Sequence, residues 1–440
     1  MSKINRRTFI QGGLATGAAL AAARCSSPQA QAPSGTPNNP AQGPTINTNQ
    51  IKDVTLRLIG TGAAQINDIR VKAEEDLGFK IQMRALSTAE NVQIAVTQPK
   101  QYDIYDGEYF SLPLVVPSGN LQPIEVSRIQ EFDAITPIFT TGELYSGARV
   151  NTSQGTAPRK VMYVTGQDST EFASEPTNWA TMIPFQYNAD TLGYRPDLVG
   201  RKIESWAELF NPEFRGKTSL LDIPSIGIMD AAMVLEAQGL MTFEDKGDMT
   251  PEELNQVTKL LIEQKRAGQF RAFWKSFDES VNFMTSGEVV LQSMWSPAVT
   301  AVKARGFECI YAPLKEGYRG WGGGLGLSKN LSGIALDAAY DYLNWMLDGW
   351  VGGFLSRQGY YSAAPEKARN FMQPEEWDFW YEGKPAAIDM IDPFGKKIES
   401  AGAVRDGGSF TERMGNVVCW NSFMQQQEYL VYKWTEFIVA

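Results

Sequence analysis

The chain has 440 residues, 43% hydrophobic and 11% aromatic, which is too long for one ordinary core and suits two lobes of roughly 150–200 residues. It carries 40 Lys+Arg against 50 Asp+Glu and no basic run, so nucleic acid is not expected as a partner and the balance leans toward cationic ligands. There is no histidine, which removes His-based triads, His–Cys pairs and His metal ligands, and Cys25, Cys309 and Cys419 lack the CxxC spacing of a zinc or redox site.

The opening MSKINRRTFIQGGLATGAALAAARC sets a basic stretch ending at Arg6-Arg7 before a short apolar run, Phe9 to Ala23, with Ala21 and Ala23 as a cleavage signature. That run is too short and too rich in Gly and Ala to span a membrane. With Phe9 and Ile10 it resembles the twin-arginine export signal, which implies a periplasmic location reached in the folded state. Cys25 stands where a lipoprotein's acylated cysteine stands, but Arg24 departs from the small residue of a lipobox, so lipidation and plain cleavage both stay open. Removing residues 1–25 takes away Lys3, Arg6, Arg7 and Arg24 and leaves 36 basic against 50 acidic residues, a net of −14. Ser26 to Gln50, rich in Pro, Ser, Gln, Asn and Gly, reads as a disordered linker. Cys309 and Cys419 have two readings, a disulfide or two buried thiols.

From Val54 strands and helices alternate: VTLRLI (54–59), a helix to about Leu77, FKIQMRAL (79–86), a helix over 89–97 and YDIYDG (102–107). This β-α-β-α-β order predicts a parallel sheet with ligand-competent loops at the strand C-termini. MIPFQYNADTLGY (182–194) reads as an extended stretch and a turn, followed by a SWAELF helix, a turn and a strand. Helices are predicted over 226–238 and 251–266, the latter capped by Thr250. Then come GEVVLQSMW (287–295), a helix over 297–305, short strands in ECIYAPL and YRGWGGGLGLSKN (318–330), and helices over 334–347 and 411–437.

PFQYNADTLGYRPDLVGRKIESWAELFNPEFRGKTSLLD, then GEVVLQSMWSPAV, then GYRGWGGGLGLSKN before an amphipathic helix, resemble in order the extracellular solute-binding proteins of the spermidine/putrescine-binding type. The likeness covers nearly everything after residue 50. It implies an α/β, two-lobed periplasmic binding protein (type II), with parallel-sheet lobes, hinge strands and ligand in the cleft between them. By that likeness lobe one is about 51–183 plus 296–348, and lobe two about 184–295 plus 349–440. It implies a small-molecule solute, an ABC permease in the inner membrane as partner, a monomer, no cofactor and no catalysis.

Strand-end turns nominate the ligand-facing residues. They are Thr61 after the first strand, Asp106, Glu108 and Tyr109 after the third, and Tyr187 on the first crossover. Ser225 ends SLLDIPS, Asp278 and Glu279 open a helix, Trp321 lies in the glycine-rich turn, and Tyr360 and Tyr361 come from the late loop. Trp295, ending the return strand, is the ligand-facing aromatic that the resemblance implies. Aromatic faces and carboxylates suit an organic cation. Ser296-Pro297-Ala298 stands where polyamine binders carry an acid, so the particular solute stays open. A bland reading accompanies each residue: Asp278 as a helix cap, Trp321 as core, and Asp106 and Glu108 as turn formers. The competing reading is an exported NADP-dependent oxidoreductase. Gly60-Thr61-Gly62 follows a strand, but Gln65 replaces the third glycine of a dinucleotide loop; Arg84 would be its 2′-phosphate partner. A binding protein serving a sensor would have the same fold.

Overall fold

A computed structural model describes residues 51–62, 65–145 and 148–440. The twin-arginine signal, the linker and Cys25 lie outside the described residues. Strands β1 (Thr55–Thr61), β2 (Lys80–Leu86) and β3 (Ile104–Glu108) form in the order β3-β1-β2, all parallel, as the alternation predicts. Helices α1 (Asn67–Leu77) and α2 (Thr88–Thr97) connect them. Ser87 and Glu90 close a capping box on α2, and Gly78 ends α1 at φ 76°, a conformation glycine takes without strain.

Strand β4 (Ile183–Tyr194) crosses to the second lobe as twelve continuous residues, not as a strand and a turn. The Asn-Ala-Asp chemistry that reads as a turn is overridden because both halves of β4 are paired. Its first half lies against a long glycine-rich strand up to Asp190, and its second half against the return strand from Thr191. Asn188 spends its side chain on the backbone, donating from Nδ2 to Gly359 O at 2.8 Å. Beyond β4 come β5 (Thr218–Leu221), β6 (Phe270–Trp274), the return strand β7 (Leu291–Met294) and the glycine-rich β8 (Tyr318–Ser328). The main path of the sheet is β6-β5-β7-β4-β8-β3-β1-β2.

Beyond β4 come the helices α3 (Pro224–Ala237), α4 (Pro251–Arg266), α5 (Phe277–Ser286) and α6 (Ser296–Ala304). Thr250 and Glu253 cap α4 reciprocally. Helix α7 (Gly333–Leu347) packs with the first lobe. The SWAELF segment is a 3₁₀ turn, Trp206–Phe210. In place of a helix over 411–437 there is a short helix, Phe410–Gly415, then a strand, Val417–Trp420, and finally α8 (Gln427–Val439).

Two large buried clusters form the cores. One gathers residues 54–189 with 318–420; the other gathers 192–291 with Ala312, Leu314 and the last helix. Helix α6 packs on α5 together with Cys309 and Tyr311. Between Tyr318 and Trp420 the clustered residues lie in the first core, apart from Cys419, which packs in the second. Cys309 and Cys419 are buried free thiols. Among the described residues no helix is long and apolar enough to cross a membrane.

Candidate functional site

Directly paired residues of neighbouring strands share one face of a sheet. Asp190 pairs with Arg319, Asn188 with Trp321, and Gly323 with both Gln186 and Glu108, while Leu325 pairs with Asp106. One face at the crossover therefore carries Asp106, Glu108, Gln186, Asn188, Asp190, Arg319 and Trp321. Gly323, at its middle, contributes no side chain, which leaves room between Glu108 and Trp321.

The acids on this face outnumber the cations. Asp106 is 6% exposed, and its Oδ2 accepts from Gln65 Nε2 at 2.7 Å. The Glu108 carboxylate has no partner among the described residues. Asp190 Oδ1 accepts from Tyr311 Oη at 3.0 Å and Trp321 Nε1 at 3.1 Å, and its Oδ2 lies 3.5 Å from Arg319. Arg319, the one cation on this face among the described residues, also donates from Nε to Asp230 on α3 at 2.8 Å. Burial pushes the Asp106 carboxyl up to about 8. Burial and the charges of Asp190 and Asp106 raise Glu108 to about 8 against the pull of Arg319. Asp190 is raised to about 6 by burial, with Arg319, Tyr311 and Trp321 holding it down. Burial thus favours the neutral acid at Asp106 and Glu108, whereas Asp190, held down by Arg319, favours the charged form near neutrality.

Aromatic groups border these acids. Tyr360 meets Trp321 edge-on at 5.9 Å, carried by a loop whose Gly359 carbonyl accepts from Asn188 and Ser296. From lobe one, Phe110 enters a small cluster with Leu221, Ile226 and Trp274 of lobe two, against which Trp295 packs. Trp295 meets Trp274 edge-on at 4.8 Å. The two lobes touch here, two residues along the chain from Glu108.

The nominated residues separate accordingly. Asp106, Glu108 and Trp321 share the acidic face, and Thr61 adjoins it through Gln65, whose N–H donates to Thr61 O at 3.0 Å. Ser225, in the first turn of α3, and Trp295 stand on the lobe-two side beside the Phe110 cluster. Tyr187 and Tyr361 lie on the opposite face of β4, 5.7 Å apart in an aromatic core with Phe139 and Phe410. Tyr109 is in that core too, donating to Met182 O at 2.9 Å. Asp278 is exposed in the first turn of α5, where Ser276 is the cap and Glu279 completes its capping box. Sequence reasoning missed Asn188, Asp190 and Arg319. The signal was there: Gln186, Asn188 and Asp190 are polar at every second position of an otherwise apolar run.

The turn after β1 does not suit a nucleotide. A Cβ at Gly60 would lie 2.6 Å from Gln65 Nε2 and 2.9 Å from the Asp106 side chain, so side chains fill the space that a nucleotide loop keeps open for phosphate. Arg84 is engaged on the edge strand, donating to Gln101 Oε1 at 3.1 Å. Ala63 and Ala64 of that turn lie outside the described residues.

Solved structures share the architecture. A Listeria monocytogenes protein assigned to spermidine/putrescine ABC transport superposes with TM-score 0.62 at 14% identity, over 87% of this chain and 98% of its own. The substrate-binding protein PotD of the Streptococcus pneumoniae spermidine/putrescine ABC transporter gives 0.57 at 15% identity, over 87% and 99%. The Tp0655 (TpPotD) lipoprotein of Treponema pallidum gives 0.59 at 11%, over 87% and 99%. At these identities the likeness establishes the two-lobed fold alone. No curated protein matches the chain by sequence. Residues 68–349 match the family model of the bacterial extracellular solute-binding proteins, and with the fold and the interlobe face described above, the chain belongs to that family.

Proposed function

We propose that the protein captures a small organic cation of the polyamine class between its lobes and delivers it to an ABC permease of the inner membrane. It would work in the periplasm after export by the twin-arginine route, without catalysing a reaction. The observation that carries this reading is the acid excess at the crossover: Asp106, Glu108 and Asp190 against Arg319, which Asp230 also claims. Ammonium groups would neutralise Asp106 and Glu108, with Trp321 and Trp295 offering aromatic faces to the carbon chain. Two neighbours in fold are named for spermidine/putrescine transport, which agrees with that charge.

Thermal unfolding against putrescine, spermidine, neutral amino acids, sugars and dicarboxylates tests it. A cation at about a hundred times its dissociation constant raises the melting temperature by several degrees. Glu108→Gln should weaken that response at least tenfold, and Trp321→Leu should weaken it too. A response to a sugar or dicarboxylate with none to any amine would overturn the reading.

A further inference from the structure

Next to the crossover, a cavity of about 30 Å³ lies between α6, the chain around 398–406 and the helix Phe410–Gly415. Three cations line it, Lys303, Arg405 and Arg413, but only two acids, Glu399 and Asp406. Both acids are taken by Lys303, which bonds Glu399 and lies 3.3 Å from Asp406 Oδ2. That Asp406 oxygen also accepts the Tyr311 N–H at 3.0 Å. The wall therefore carries one positive charge in excess.

Neither arginine forms an ion pair among the described residues. Arg405 is 6% exposed and donates from Nη1 to Tyr361 Oη at 2.6 Å and to Gly408 O at 3.4 Å. Arg413 is 1% exposed and donates to Asp406 O at 3.3 Å and Ala189 O at 2.9 Å, while its Nε is buried without any acceptor. Aromatic rings cover their planes: Tyr361 and Trp380 lie 5.0 and 5.2 Å from Arg405, and Tyr311 and Tyr318 lie 4.2 and 5.1 Å from Arg413. A buried guanidinium without a counter-charge is strongly unfavourable, which calls for an anion rather than water.

Size narrows the class. At about 10–15 Å³ for each water-sized particle, the cavity admits about two, which suits a small anion better than phosphate or sulfate with five heavy atoms each. We propose that this cavity binds one small monovalent anion of the halide class between Arg405 and Arg413. Arg413 and Tyr311 both donate to Ala189 O, beside the Asp190 crossover, so the occupied site braces the strand that joins the lobes.

The test compares thermal unfolding of the full chain in sodium chloride and in sodium gluconate, an anion too large for the cavity, at equal ionic strength. Chloride should raise the melting temperature by about 3 °C and saturate at millimolar concentration. In Arg405→Gln the two melts should coincide while near-ultraviolet circular dichroism stays native. Bromide introduced into crystals should give an anomalous peak between the two guanidinium groups. Coincident melts for the unsubstituted chain, a chloride increment that persists in Arg405→Gln, or bromide peaks only elsewhere would overturn the proposal. None of these readouts involves the transported solute.

Discussion

Arg319 stands on a strand of the first lobe, yet its Nε donates to Asp230 on a helix of the second, and the two side chains are 2% and 0% exposed. It also bonds Asn421 and lies 3.5 Å from Asp190, so one guanidinium holds two buried carboxylates and an amide across the junction. A buried pair contributes little beyond a well-packed apolar substitute, but losing one partner strands a charge. Arg319→Met strands both Asp190 and Asp230 and should cost about 3–5 kcal/mol in urea unfolding. Asp230→Asn keeps an oxygen for the Arg319 Nε and removes one of the two acids, so it should cost less than half as much. Equal urea midpoints for Arg319→Met and the unsubstituted chain would show that Arg319 is not the junction's counter-charge.

Strand β8 shows how an element builds the site from alternation. A Cβ at Gly324 would meet Tyr109 Cε2 at 2.9 Å and Ile183 O at 3.0 Å, and one at Gly322 would meet Phe139 at 2.8 Å. The even glycines let the first core's rings lie directly on the strand. At Gly323, on the other face, the nearest atom is Gln186 Cγ at 3.4 Å, so a side chain there is accommodated but fills the space beside Glu108. Gly324→Val should therefore destabilise by about 1–3 kcal/mol through overpacking. Gly323→Val should melt within about a degree of the unsubstituted chain yet bind the solute at least tenfold more weakly. The reverse pattern, with Gly323→Val unstable and Gly324→Val neutral, would put the cleft on the wrong face of β8.

This alternation also marks how far the sequence could be read. The first three strands and α4 were legible because each carries its own period and caps, such as Thr250 with Glu253. The continuity of β4 was not, because Asn188 and Gly193 carry turn chemistry and only pairing on both sides of β4 overrides it. The strand Val417–Trp420 was hidden inside an apparently helical run, although Val417 and Val418 are β-branched. Amphipathicity shows that a late helix needs a core without saying which one. Of the residues nominated from strand ends, Asp106, Glu108 and Trp321 share the crossover face. Tyr187 fell on the core side because it lies one residue out of step with Gln186 and Asn188, and a shift of one changes the face.

For the whole molecule, the acids at the crossover tie stability to pH and to the solute. Burial holds the Asp106 and Glu108 carboxyls near 8, against about 4 in an unfolded chain. Between those values the folded state binds more protons than the unfolded one. The stability these groups contribute is thus complete below about pH 4 and is lost as pH rises toward about 8, by up to about 1.4 kcal/mol per pH unit for each group. Other carboxylates in the chain act in the opposite sense, so the comparison that isolates the effect is with Glu108→Gln, which cannot ionise. Below pH 4 the two proteins should melt together, and by pH 8 the variant should be the more stable without solute. A cation reverses the order, since only the ionised Glu108 attracts it. Binding should therefore tighten from pH 6 to pH 8 and release protons, measurable by calorimetry in two buffers of different ionisation enthalpy. A melting difference that does not change with pH, together with binding that releases no protons, would mean that Glu108 is already ionised and solvated in the free protein, leaving the acidic face open to water before the solute arrives.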